Sequence, residues 1–174
     1  MEYDDNAIFL DREKRYVFQK KLIDKYKKTL LSMKVNYSGS NRDNNTTINI
    51  IKCMDNIITE IFNNEIYLKI FRITLEGPII TFLLNMDEIK AKKTCIEIEN
   101  KHMLGTCIDI DVYSSDCRPI ERREFGYEKR KCFICNELAD TCVKNKVHTQ
   151  VETLEAMRKM YLAYVNKYYG NRFN

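Results

Sequence analysis

The residue types able to do chemistry gather in the second half of this chain. Thr106-Cys107-Ile108-Asp109-Ile110-Asp111-Val112-Tyr113 reads as an apolar strand carrying D-x-D. On a strand, residues i and i+2 point the same way with alpha carbons about 6.5 to 7 Å apart. Asp109 and Asp111 therefore converge, while Ile108, Ile110 and Val112 face a core. Two carboxylates at that reach can ligate Mg²⁺, which would neutralise a polyphosphate and stabilise its leaving oxygen. The plain alternative is a half-buried strand with a solvated acidic face. Arg118, Arg122, Arg123, Lys129, Arg130 and Lys131 crowd the segment that follows. Guanidinium forks suit phosphate oxygens, although a charge run can also be simply solvated. Carboxylates and cations together point to phosphoryl or nucleotidyl transfer.

A second constellation is C-x2-C-x6-C-x5-H, formed by Cys132, Cys135, Cys142 and His148. Three thiolates and one imidazole make an acceptable closed tetrahedral Zn²⁺ site. The competing reading is three small, reduced, buried thiols with His148 at a helix entry. A redox C-x-x-C is less favoured, because no thioredoxin-like strand precedes it.

The elements that must position these groups follow from periodicity. Asp11 to Tyr26 repeats Tyr16, Val17, Leu22, Ile23 and Tyr26 at helical spacing, predicting a surface helix. Leu30 to Tyr37 reads as a strand, and Ser38 to Asn45 as a polar loop of turn formers. Thr46 or Thr47 could cap a helix whose apolar stripe runs through Ile50, Ile51, Met54, Ile57, Ile58, Ile61 and Phe62. Tyr67–Leu75 and Ile79–Leu84 read as strands joined through Glu76-Gly77-Pro78. Asp87 to His102 is ambiguous: Asp87 resembles a cap and Ile89, Lys93 and Ile96 share a helical face, whereas Cys95 to Glu99 alternates like a strand. Helix is favoured. Ser114 to Lys131 reads as a charged loop or hairpin, and Val151 to Tyr168 as an amphipathic helix.

The 174 residues fit one domain, 1–174, and can bury a real core. With 44% hydrophobic and 31% charged residues the chain reads as globular, and no apolar run approaches the roughly 18 residues of a membrane span. The Met-Glu-Tyr-Asp-Asp start has no basic or apolar leader, so a cytoplasmic address is expected. Seven cysteines there would be thiols or ligands rather than disulfides. A net charge of +4 is compatible with anionic ligands but falls short of a dedicated nucleic-acid binder.

The order of these residues resembles one family. Glu97-Ile-Glu99-Asn-Lys-His102-Met-Leu-Gly105-Thr-Cys-Ile-Asp109-Ile-Asp111-Val112, then Arg122-Arg123, Arg130-Lys131-Cys132-Phe-Ile-Cys135, Ala139-Asp-Thr-Cys142-Val-Lys144 and His148 are similar to holo-citrate lyase synthase. That is the apo-citrate lyase phosphoribosyl-dephospho-CoA transferase. The resemblance implies an enzyme moving the prosthetic group from triphosphoribosyl-dephospho-CoA to a serine of the citrate lyase acyl carrier subunit, with release of pyrophosphate. On this reading Asp109 and Asp111 are catalytic Mg²⁺ ligands, one also assisting deprotonation of the serine. Arg122, Arg123, Arg130 and Lys131 bind phosphates, and Glu99 and His102 orient substrate or metal or serve as helix-end residues. Two departures stand out: Thr106 replaces an arginine of the family's H-P-L-G-R, and Ser38-Gly39-Ser40-Asn41-Arg42 replaces a proline-glycine-proline loop.

The expected fold is α+β, a small mixed or antiparallel sheet packed on helices with a C-terminal cysteine-bearing appendage. A glycine ahead of a D-x-D strand also resembles the nucleotidyltransferase superfamily. The rival function is a small zinc-knuckle module binding RNA, which the basic loop and eleven tyrosines would serve. Against it, Asp109 and Asp111 would repel a phosphate backbone unless a metal intervened. A noncatalytic adaptor for the carrier subunit is a third reading.

Overall fold

The structure, a computed structural model, describes residues 5–37, 39 and 41–170. Ser38 and Ser40 of the expected polar loop lie outside the described residues. The elements run α1 (Asp5–Tyr26), β1 (Thr29–Val35), α2 (Asn45–Ile61), β2 (Ile66–Thr74), β3 (Gly77–Leu84), α3 (Glu88–Lys101), β4 (Ile108–Tyr113), α4 (Ala139–Lys144) and α5 (Gln150–Tyr169). The four strands form an antiparallel sheet in the order β2-β3-β1-β4. This is the expected α+β class, with the antiparallel form of the sheet.

Both faces of the sheet are covered. Leu31, Met33, Ile80, Phe82, Ile110 and Val112 point to one side, where Ile50, Ile51, Met54 and Ile58 of α2 join Met157 and Tyr164 of α5 in the larger core. Leu30, Leu83 and Tyr113 point to the other, against Leu22 and Ile23 of α1. Burial on two faces explains why central strand β3 reads as a nearly continuous apolar run, whereas edge strand β2 alternates.

Several expectations need correction. The α2 cap is Asn44, whose side chain accepts from the Thr47 N–H at 3.1 Å, rather than Thr46 or Thr47. Thr47 is buried instead, its hydroxyl donating to Arg42 O at 2.8 Å. The alternating Cys95–Glu99 stretch, by contrast, is helical as favoured: Asp87 caps α3 by accepting from Lys90 N, and Cys95, Ile96, Ile98 and Glu99 are buried. A 3-10 turn over Gly105–Cys107 precedes β4, so the strand begins at Ile108. Helix α4 was not expected from periodicity.

The buried side of α1 also differs. Tyr16 and Val17 are exposed, and Arg15 and Gln19 lie inward beside Ile8, Leu22 and Ile23. Glu76, in the β2–β3 turn, is the reason. Its carboxylate accepts from Arg15 Nε at 2.7 Å and Nη2 at 3.2 Å, which makes a buried guanidinium tolerable. Among the described residues no helix is long and apolar enough to cross a membrane.

Candidate active site

The register of the sheet places the carboxylates. Lys34 of β1 pairs with Asp109 and Ser32 pairs with Asp111, so all four side chains share the face that α1 covers. Ile108, Ile110 and Val112 point into the larger core, as the strand period requires. Lys34 Nζ stands 3.1 Å from Asp109 Oδ2 and 3.8 Å from Asp111 Oδ2. On the next strand Thr81 faces Ser32, which continues the polar row beneath the helix. Thr81 Oγ1, Gln19 Nε2, and Nε and Nη2 of Arg72 are buried there without a hydrogen-bond partner among the described residues.

Strand β4 is an edge, so its outward backbone groups need partners other than a further strand. Charged side chains supply most of them. Glu99 Oε1 accepts from Ile110 N at 2.8 Å, Lys92 Nζ donates to Ile110 O at 3.4 Å, and Arg130 donates to Ile108 O. The Arg130 guanidinium also donates to Asp109 Oδ1 at 2.7 Å and lies 3.4 Å from Glu99 Oε1. Arg130 therefore wraps the sheet edge and joins the carboxylate row to the cleft beyond it.

That cleft has a volume of about 320 Å³ and is lined by Glu99, Asn100, Arg122, Lys129, Arg130 and Lys131, with Thr106 also at its wall. Three of the expected phosphate binders, Arg122, Arg130 and Lys131, open onto this same space. Arg122 donates through Nη2 to Asn100 Oδ1 at 2.8 Å and keeps a buried Nε without a partner among the described residues. Arg123 is exposed and does not line this cleft. His102 caps the end of α3, where its Nδ1 accepts from Leu104 N at 3.2 Å and its ring tilts against Tyr164, with centroids 5.3 Å apart. Those contacts hold it on the side of α5.

Electrostatics separate the two aspartates. Burial pushes the Asp109 carboxyl up, but Lys34 and Arg130 outweigh it and hold the group below its ordinary value. Burial also pushes Asp111 up, and the Asp109 charge adds to it, so Asp111 is held above its ordinary value. For Lys34, burial opposes the charge, yet Asp109 and Asp111 prevail and raise its pKa. Glu99 is raised by burial, with Arg130 and the Ile110 N–H opposing. A firmly ionised carboxylate beside one that binds a proton more readily is a pairing suited to proton transfer.

The expected zinc ligands also come together. Sγ of Cys132, Cys135 and Cys142 and a ring nitrogen of His148 all lie within 4.8 Å of one another. Sequence reading missed Lys34, Lys92 and the Arg15–Glu76 pair. The available signal for Lys34 was its place as the one charge in Thr29–Val35.

Fold and site together define an α+β protein whose edge strand presents carboxylates next to a basic cleft, a setting for anionic groups. The chain belongs to the apo-citrate lyase phosphoribosyl-dephospho-CoA transferase family, whose sequence pattern matches residues 4–164. It is 27% identical to Protein CitXG of Leuconostoc mesenteroides subsp. cremoris over 154 residues, 86% of this chain and 33% of that protein. Against Protein CitXG of Haemophilus influenzae the identity is 27% over 158 residues, 88% of this chain and 34% of the relative. The apo-citrate lyase phosphoribosyl-dephospho-CoA transferase of Escherichia coli O9:H4 (strain HS) is 32% identical over 69 residues, 40% of this chain and 38% of its own length. The matches thus span about a third of the curated relatives' length.

Proposed function

We propose that this chain transfers phosphoribosyl-dephospho-CoA from its triphosphate precursor to a serine of the citrate lyase acyl carrier subunit. The serine Oγ attacks the phosphorus nearest the ribose, a new P–O bond forms, and the bond to pyrophosphate breaks as pyrophosphate leaves. Asp111, on the same strand face as Asp109, takes the serine proton. Arg122, Arg130 and Lys131 bind the triphosphate, and Lys34 keeps Asp109 ionised. The observation that carries this reading is Arg130, which connects the D-x-D carboxylates to a basic cleft in a chain of this family.

A Mg²⁺ ion fits the donor set. Asp109 and Asp111 are each about 30% exposed, and Mg²⁺ sites commonly combine one or two carboxylates with phosphate oxygens and water. The two aspartates would hold it, and the ion would neutralise the departing pyrophosphate. The chain is expected to act as a transferase of the nucleotidyl class in the cytoplasm. Incubating it with carrier subunit and triphosphate precursor, then weighing the carrier, is the test. A carrier heavier by phosphoribosyl-dephospho-CoA, with pyrophosphate released, is expected; an unmodified carrier would reject the assignment.

A further inference from the structure

We propose that Cys132, Cys135, Cys142 and His148 form a closed structural zinc site that staples the segment bearing Arg130 to the protein. The four ligand atoms are close enough to share one ion. Cys135 Sγ lies 3.4 Å from Cys142 Sγ and 3.2 Å from His148 Nε2, and all four ligand atoms fall within 4.8 Å of one another. Tetrahedral Zn–S and Zn–N bonds of about 2.3 and 2.0 Å place neighbouring ligands roughly 3.5 to 3.8 Å apart. An S₃N set favours zinc among the common divalent ions. Four protein ligands leave no open position, so the role is structural rather than catalytic.

The local backbone is built to present these atoms. Cys132 N donates to Glu137 O at 2.6 Å, Asn136 N donates to Cys132 O at 3.0 Å, and Asn136 adopts a left-handed φ of 63°. This turn brings Cys135 back over Cys132. Helix α4 carries Cys142, and the turn after it, with Val147 N donating to Cys142 O at 3.0 Å, returns His148 to the cluster. Thr149 then starts α5 through a capping box with Glu152.

Packing does not account for the cluster. Of residues 126–148 only Cys142 is buried; Cys135 is exposed, and so are Ile134, Leu138, Val143 and Val147. A segment with so little apolar burial lacks the usual means of offsetting its ordering entropy, and a metal site supplies it. A Cys135–Cys142 disulfide would leave Cys132 and His148 without a reason to converge.

The site also reaches the cleft. Lys131 bridges to Leu138, and Ala139 N donates to Arg130 O at 2.9 Å, so the turn that holds the metal also fixes the backbone of Arg130. The metal site stands apart from the proposed reaction; only the importance of placing Arg130 rests on it.

The test is metal content of the full chain purified without chelator. About one zinc per chain is expected, and Co²⁺ exchanged into the protein should give the visible absorption of a tetrahedral thiolate site. Cys135→Ser should reduce bound zinc to background and speed hydrogen exchange across residues 130–148, while the strands stay protected. Metal-free protein, or a zinc-free Cys135–Cys142 disulfide in a peptide map, would overturn the site. Unchanged exchange over 130–139 after zinc loss would overturn its role in placing Arg130. Neither readout involves carrier modification, so failure of the transferase assignment would leave the result interpretable.

Discussion

Lys34 and Asp109 face each other across β1 and β4, with Nζ 3.1 Å from Oδ2. The contact makes the carboxylate row possible, because two acids two residues apart on a covered face would otherwise repel each other as they lose water. Lys34 lies within reach of both, and Arg130 takes the second oxygen of Asp109.

Replacing Lys34 by Met should therefore destabilise the protein. A fully buried pair broken on one side costs more, but these side chains are about 30% exposed, so a loss of about 1–2 kcal/mol is expected at neutral pH. The depressed Asp109 pKa contributes stability above its unfolded value that is lost as pH falls through its folded value. The deficit of the variant should accordingly shrink in acid. Urea unfolding at several pH values measures this, and a deficit constant across the carboxylate range would contradict the pairing.

The two aspartates should differ in stability though not in catalysis. Asp109→Asn removes a charge held by Lys34 and Arg130 and should cost about 1–2 kcal/mol. Asp111, with a raised pKa, contributes stability that is greatest below its unfolded value and lost as pH rises through its folded one. Asp111→Asn should thus be neutral or stabilising by up to about 1 kcal/mol at neutral pH. Both should lower carrier modification by orders of magnitude. Tighter RNA binding by Asp109→Asn, with no carrier modification by the wild type, would favour the RNA-binding reading instead.

The strand period made the orientation of Asp109 and Asp111 legible, because alternation with Ile108, Ile110 and Val112 leaves one arrangement with an apolar core. Cysteine spacing likewise picked out four residues that fold to one place. Lys34 could not be read this way, since its importance depends on β1 lying beside β4, a pairing no local pattern specifies. Arg15 and Gln19 misled for a related reason. Polar residues on a helix read as solvent-facing until a partner such as Glu76, 61 positions away, is known. Glu99 and Lys92 complete the free edge of β4, a role visible only once β4 is known to be an edge.

Arg122 and Arg130 line one cleft but should fail differently. Arg122→Ala removes a guanidinium bound to Asn100 at the wall, so stability should hold and KM for the precursor should rise about tenfold, near 1.4 kcal/mol. Arg130→Ala would leave Glu99, only 6% exposed, with the Ile110 N–H opposing its burial. A stability loss of about 2–3 kcal/mol is expected together with lower kcat. Arg130→Lys should recover part of the stability but less of the turnover, because one ammonium cannot reproduce the fork. Equal kinetic and stability effects at the two positions would remove the distinction.

Gly105 sits where α3 gives way to β4, and a methyl there would stand 2.4 Å from Glu99 O and 2.6 Å from Ile98 O. Both neighbours are backbone, so no side chain can rotate aside. Gly105→Ala must push β4 away from the end of α3, at an expected cost of about 2–3 kcal/mol. The displacement would also lengthen the Glu99 bond to Ile110 and disturb Arg130 beside it. Turnover should consequently fall more than the folded fraction does, which thermal unfolding and carrier modification at a temperature well below the transition can separate. Wild-type stability and turnover in Gly105→Ala would show that the approach of α3 to β4 is looser than 2.4 Å implies and that Glu99 does not depend on it.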